Sequence, residues 1–161
     1  MRRKDREIKD FEQIVQIMHQ CEVCHVAFHD EKYPYVVPMN FGMEVQEGQV
    51  ILYFHGASVG KKHDLLQKNP HVAFVMETTH GITTGKKVGI CECTMLFESV
   101  MGVGTIAYAT EEEKLHALKL LVQQYHVTEG ENYAFNHKMV AHTTVLKLTV
   151  QELSAKQRKV Q

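Results

Sequence analysis

The chain lacks an excess of charge of either sign: 18 Lys and Arg stand against 19 Asp and Glu, for a net charge of −1. That excludes the sequence-wide basic surface through which proteins hold nucleic acid or other polyanions, so any anion site must be local. It also lacks an apolar run long enough to span a bilayer, and its opening, "MRRKDREIKDFEQ", is too charged for the apolar core of an export signal. The expected compartment is therefore the cytoplasm, where the four cysteines would stay reduced. No low-complexity tract interrupts the 161 residues, 44% of them hydrophobic, which predicts one domain over 1–161 with a sizeable core. No G-x-G-x-x-G follows a strand-like run, so the sequence names no dinucleotide reductant.

Cys21 to His25 spells "CEVCH", the spacing of covalent c-type haem attachment. Such attachment normally follows export, and "CHVAFH" from Cys24 to His29 alternates like a half-buried strand, so ordinary strand residues are the preferred reading. A zinc site from Cys21, Cys24, Cys91 and Cys93 is disfavoured too. C-x-C is a less usual knuckle than C-x-x-C, and strand alternation puts Cys91 and Cys93 on one face regardless. No metal is expected.

What the chain has is mostly strand. Val-, Ile-, Phe- and Tyr-rich segments read as strands over 22–30, 33–43, 49–55, 71–78, 90–98, 100–109 and 143–150, with hairpin turns at Asp30–Lys32 and Gln46–Gly48. Ile8, Phe11, Ile14, Val15 and Met18 recur at helical spacing and predict an amphipathic helix over about 8–19. A second helix, about 111–126, is introduced by Thr110 and Glu113 as a capping box, with an apolar face of Leu115, Leu118, Leu121, Val122 and Tyr125. A third, following residue 60, should stop at Asn69–Pro70, because proline disfavours helical backbone before it.

That third helix breaks a rule. In "YFHGASVGKKHDLL", Tyr53 to Leu66, the helix opens with Lys61, Lys62 and His63, although a helix N-terminus carries about half a positive charge and favours Asp or Glu. A solvated basic pair is the plain explanation. The alternative is an anion: Gly56 and Gly60 permit close backbone approach, Ser58 supplies a hydroxyl, and the lysines supply charge beside free N–H groups. The spacing is not that of a Walker loop. Two further stretches stand out. Gly102 and Gly104 interrupt "FESVMGVGTIAYA", which signals either a barrel kink or close approach by a ligand or backbone. Pro34 and Pro38 in "YPYVVPMNFG" require an edge, a bulge or an opening of the sheet.

These three stretches, in this order and spacing, resemble the flavin-binding split barrels related to pyridoxamine 5'-phosphate oxidase over roughly residues 1–150. The nitroimidazole-reductase-type resistance proteins are the most similar subgroup, sharing also an opening like "RRKDREI". The resemblance implies a mostly β fold, a six- or seven-stranded antiparallel split barrel with flanking helices, forming a homodimer with FMN in grooves at the subunit interface. It places the FMN phosphate and ribityl chain on the turn containing His55, Gly56, Ala57, Ser58, Gly60, Lys61 and Lys62. It puts Pro38, Met39 and Asn40 beside the isoalloxazine ring through backbone contacts, and Ser99, Val100 and Met101 on the same groove. His55 matches a histidine lying close to the flavin in that subgroup and is the expected catalytic residue, orienting substrate or supplying a proton; a polar cap on the barrel is the alternative.

The implied activity is that of an FMN-dependent oxidoreductase, nitroreductase-like, acting on a small acceptor, without nucleic acid or membrane. The chain has no tryptophan and ends in "ELSAKQRKVQ", without the Arg-Leu-x-Pro-type tail of true pyridoxamine phosphate oxidases, which argues against vitamin B6 phosphates as substrate. Two other readings stay open: a haem-binding or haem-degrading split barrel, with His137 or His142 as iron ligand, and a flavin-binding protein without turnover.

Overall fold

The structure, a computed structural model, describes residues 3–84, 93–125 and 135–159. The chain runs β1 (Glu7–Ile8), α1 (Phe11–Gln20), β2 (Cys24–Phe28), β3 (Tyr35–Met39), β4 (Gly42–Gln46), β5 (Gln49–Gly56), α2 (Lys61–Lys68), β6 (His71–Thr83), β7 (Thr94–Tyr108), α3 (Glu111–Gln124), α4 (His137–His142) and β8 (Thr144–Arg158). The strands form one antiparallel sheet in the order β3-β2-β6-β7-β8-β5-β4, with the short β1 added beside β8 as an eighth. Among the described residues no helix is long and apolar enough to cross a membrane.

The outermost strands of that order, β3 and β4, are consecutive in the chain and separated only by Asn40 and Phe41. One extended segment pairs with β2 through its first half and with β5 through its second, which curls the sheet into a barrel left unpaired at that corner. The single strand expected over 33–43 is therefore two. β3 has one partner only, so Pro38, which has no N–H to give, can lie on a strand with a free edge. The corner is pinned by the Tyr125 hydroxyl, which accepts from the Asn40 amide and the Phe41 N–H, each at 3.1 Å, and donates to the Glu22 carbonyl at 2.8 Å. At the other end of β4, Gln46 pairs with Gln49 across Glu47 and Gly48, whose φ of 50° and 81° suit a tight two-residue hairpin.

β7 and β8 are each fifteen residues long and pair along nearly their whole length. The expected break between 98 and 100 is absent; β7 is continuous, and the expected residues 90–92 lie outside the described ones. A Cβ on Gly104 would stand 2.3 Å from the Thr149 carbonyl oxygen, and one on Gly102 would stand 2.6 Å from the Phe74 ring, so both glycines serve close packing within the barrel. Beside them β8 bulges: Gly104 pairs with Val150 but Val103 with Glu152, leaving Gln151 as the extra residue. The bulge reverses the alternation of β8. Leu146, Leu148 and Val150 are buried before it, and Ala155 after it, which is why the period-two pattern ends at 150 although the strand continues to 158.

The core fills the barrel with Val26, Phe41, Leu52, Phe54, Met76 and Leu148, each 0% exposed. α1 adds Ile14, Ile17 and Met18 to the same core. It starts at Phe11 because the Asp10 carboxylate accepts from the Gln13 N–H at 2.7 Å, while Ile8 is taken up in β1 opposite Ala155. α3 begins with the expected capping box at Thr110 and Glu113. Its buried face overlaps the expected one, with Leu121 buried and Leu118 packed beside Ala117, but it is turned: Lys114, Ala117 and Gln124 are also buried, whereas Leu115 is 37% exposed. The polar members explain the rotation. The Lys114 stem lies along the surface while its ammonium reaches Glu111 at 2.6 Å, and the Gln124 amide donates to the His19 and Cys21 carbonyls at the end of α1.

α3 is held onto β4, β5 and β8 partly by carboxylates. Glu44 accepts from the Tyr53 hydroxyl at 2.8 Å and from His116 at 2.9 Å, and Glu113 accepts from Lys147 at 2.6 Å. Burial alone would raise the Glu44 carboxyl, but the hydrogen bonds from His116 and Tyr53 outweigh it, and Lys147 with the Thr110 N–H lowers that of Glu113. Both groups therefore bind a proton less readily folded than unfolded. Their stabilisation is complete above the unfolded carboxyl range, about pH 4.3, and is lost as pH falls through the lower folded values. Thermal melts should show Tm declining below about pH 4.5, with Glu44→Gln and Glu113→Gln less stable at neutral pH but flatter in acid. A Tm equally steep in acid for both variants and the parent would contradict this linkage.

Candidate functional site

β5 delivers His55 and Gly56 to one end of the barrel, where the chain turns through Ala57–Gly60 into α2. His55 shares the strand face of Ile51 and Tyr53, which pack with Ala117 of α3, but is itself exposed. Ser58 and Gly60 are exposed, and Gly60 forms the N-cap with φ 130°, a backbone region that favours glycine. It offers no capping side chain, and since the His63 N–H donates to the Gly60 carbonyl at 2.9 Å, the N–H groups of Lys61 and Lys62 are the ones left for another partner.

The two lysines are not equivalent. Lys61 Nζ lies 2.7 Å from the Asp30 carboxylate in the β2–β3 connection and 4.9 Å from the centre of the Tyr35 ring. Its hydrogen bond to Asp30 raises the Lys61 ammonium and lowers the Asp30 carboxyl from their ordinary values. Part of the anomaly of a cationic helix start is thus resolved inside the chain. Lys62 has no ion pair among the described residues, and its Nζ would be 3.3 Å from a Cβ on Gly56, so the absent side chain makes room for the ammonium over the end of β5. His63, which follows the two lysines at the helix opening, is buried at 4% exposure with both ring nitrogens hydrogen-bonded.

The remaining expected residues lie on a band across the sheet, in which Pro38 pairs with His25, His25 with Val75, Val75 with Met101, and Met101 with Ser154. On its outer face is an apolar groove of about 420 Å³, lined by His25, Ala27, Val36, Val75, Met101 and Val103 among others. Pro38 is exposed, whereas the side chains of Met39 and Val100 face the core and leave only their backbone for any ligand. The Asn40 amide is engaged at the barrel corner by Glu22 and Tyr125. The Ser99 hydroxyl is buried without a hydrogen-bond partner, as is Nδ1 of His25, which lies 3.9 Å from the Glu77 carboxylate. A buried hydroxyl with no partner costs free energy, which makes Ser99 a position where an added acceptor or donor would be stabilising.

The structure joins the His55–Lys62 turn to β3 through the contact of Lys61 with Tyr35, and Pro38 is three residues further along that strand, about 10 Å. Met101 is three strand spacings from Pro38, about 14 Å. No residue of the turn lines the groove that contains Met101. Asp30, Tyr35, His63 and Tyr108 were not singled out as site residues from sequence; their parts depend on contacts between distant segments, for which a single sequence carries no local signal.

Neither metal reading gains support. Cys21 and Cys24 are buried thiols, and burial pushes that of Cys21 up to about 11 and that of Cys24 higher still. Cys24 points into the core and the neighbouring His25 to the outer face, and no cluster of ligating side chains occurs among the described residues. Cys91 lies outside them, as does the side chain of His137; His142 ends α4 and is exposed.

Fold and site define a class, the antiparallel split barrels with helices packed outside. Within it, the profile described as pyridoxamine 5'-phosphate oxidase matches residues 10–157, and the chain belongs to that family. A candidate 5-nitroimidazole antibiotic resistance protein from Bacteroides thetaiotaomicron is 30% identical, with 94% of this chain and 86% of that one covered and a TM-score of 0.77. The flavocytochrome Anf3 from Azotobacter vinelandii has a TM-score of 0.80 at 23% identity, covering 99% of this chain and 72% of its own. The FAD and haem binding protein from Mycobacterium smegmatis has the same TM-score of 0.80 at 19% identity, covering 96% and 74%. These last two share the fold. No curated protein matches the chain in sequence.

The thiol environments predict selective labelling. Under native conditions near pH 8, iodoacetamide should modify the exposed Cys93 and leave Cys21 and Cys24 untouched until the protein unfolds, since the thiolate is the nucleophile and burial suppresses it. Peptide mapping by mass spectrometry reads this directly, and native labelling of Cys21 or Cys24 at the rate of Cys93 would refute it.

Proposed function

We propose that the chain is a flavin-dependent oxidoreductase that works as a homodimer, holds FMN between two copies and reduces a small acceptor of the nitroaromatic class. The observation that carries this reading is the ammonium of Lys62, without an ion pair among the described residues, lying over Gly56 at the uncapped N-terminus of α2. Charge, free N–H donors and the exposed Ser58 hydroxyl there have the chemistry of a phosphate-monoester site. Membership of the family and the FAD named for one similar fold support a flavin as the cofactor, and the 5-nitroimidazole relative supports the acceptor. The apolar outer groove, with Val36 at 53% and Val103 at 40% exposure, supports a second copy as its cover, because the turn and the Ser99–Met101 segment do not line one concavity of a single chain.

When bound, the flavin supplies hydride or electron transfer. The chain's own residues do the rest. Lys62 and the first N–H groups of α2 hold the phosphate, while Lys61 ties the helix start to Asp30. Pro38–Asn40 border the ring through backbone, the Ser99 hydroxyl gains the partner it lacks, and Met101 shields the ring from water. His55, exposed at the strand end beside this turn, orients the acceptor or gives it a proton.

Titration of FMN and riboflavin tests the phosphate site. Lys62→Gln should weaken FMN about tenfold to hundredfold, the loss of one charge-assisted hydrogen bond, and leave riboflavin unchanged. Lys61→Gln should cost FMN less, because that ammonium is already committed to Asp30. Equal FMN affinity before and after Lys62→Gln removes the cradle. Separately, His55→Ala should retain flavin but lower turnover of a nitroaromatic acceptor and alter its pH profile; unchanged kinetics from pH 5 to 9 would reduce His55 to a polar cap.

A further inference from the structure

His63 sits on the inner side of the first turn of α2, buried between the Ala57–Gly60 turn and the end of β7. Its Nε2 is 2.8 Å from the Ala57 carbonyl oxygen and its Nδ1 is 2.8 Å from the Tyr108 hydroxyl. The two rings are stacked, with centroids 5.7 Å apart and planes 13° from parallel. A carbonyl can only accept, so Nε2 carries the proton; in the neutral ring, Nδ1 then accepts from the Tyr108 hydroxyl. The backbone N–H of the same residue donates to the Gly60 carbonyl at 2.9 Å. One residue thus draws two carbonyls of the turn, those of Ala57 and Gly60, toward the protein.

The consequence follows from peptide geometry. In a trans peptide the C=O and the N–H of the next residue point in opposite directions, and no described peptide is cis. With both carbonyls turned inward, the N–H groups of Ser58 and Lys61 are turned away from His63, at two residues that are exposed. Were the Ala57 peptide to turn over, an oxygen would replace the Ser58 N–H on that side, and a donor for an anion would become a repulsive acceptor.

We propose that His63, its ring held by Tyr108, is the positioning residue that makes this turn an anion site; the inference rests on the phosphate reading above. Neither residue touches the anion. The Ala57 carbonyl requires the proton on Nε2, the Tyr108 hydroxyl donates to Nδ1 and holds the ring in place, and the held carbonyl aims the Ser58 N–H outward.

The test uses the full chain with FMN and riboflavin titrated in parallel by flavin fluorescence. His63→Leu should lose about tenfold in FMN affinity with riboflavin unchanged, and His63→Gln, whose amide can still donate toward Ala57, should recover most of the loss. Tyr108→Phe should fall between them, at about threefold. In the parent protein, long-range 15N–1H correlation should find the His63 proton on Nε2. A proton on Nδ1 would overturn the inference, as would an equal loss of both flavins in His63→Leu or unchanged FMN affinity in that variant. Should His63→Leu not fold, Tyr108→Phe takes its place, and unchanged FMN affinity there counts equally against the proposal. Failure of the phosphate reading is distinguishable, because the parent would then bind riboflavin as tightly as FMN.

Discussion

β7 and β8 approach each other more closely than side chains permit. Glycine at 104 lets the β7 backbone press against the Thr149 carbonyl, and glycine at 102 admits the Phe74 ring beneath it. The rest of the barrel hangs on this pair: β6, β2 and β3 are added in turn to β7, and β5 and β4 to β8. The outer groove therefore spreads over β3, β2, β6, β7 and the second half of β8, whereas the His55–Lys62 turn follows β5 on the far side of β8. Their relative placement is set by where the two long strands cross and how the bulge at Gln151 bends one against the other.

The candidate site is assembled by pinning rather than by enclosure. Asp30 holds Lys61, His63 holds Ala57, and Tyr125 holds the corner from which β3 departs. The first and last of these contacts join segments far apart in the chain, the second lies within the turn itself, and each engages a polar group that would otherwise have been free to turn toward a ligand. What the turn still offers is what these pins leave over: the Lys62 ammonium, the Ser58 hydroxyl and the outward N–H groups.

Local features of the sequence were legible because their causes are local. The two-residue hairpin at Glu47–Gly48, the Thr110 capping box and the stop at Asn69–Pro70 each involve residues within a few positions of one another. The second half of β8 was hidden because Gln151 reverses the alternation, so a continuing strand reads as the end of one. The polar part of the buried face of α3 was hidden because Gln124 is buried against carbonyls at the end of α1, which the helix itself does not contain. At the site, the breach of the helix charge rule was visible at Lys61 and Lys62, but which lysine is committed depends on Asp30, thirty-one residues earlier. His63 read as a cation because nothing adjacent discloses Tyr108.

The pairing of Lys61 with Asp30 also sets the electrical character of the turn. Two lysines and a helix end would together carry about 2.5 positive charges, but with one lysine cancelled the turn carries about 1.5. A phosphate monoester at neutral pH carries between about 1.5 and 2 negative charges. An ion of that kind would leave the turn close to neutral. The acidic partner thus trims the field of the turn to the valence of a phosphate monoester, and a turn so balanced has less pull on ions of higher charge than its two lysines alone would give it.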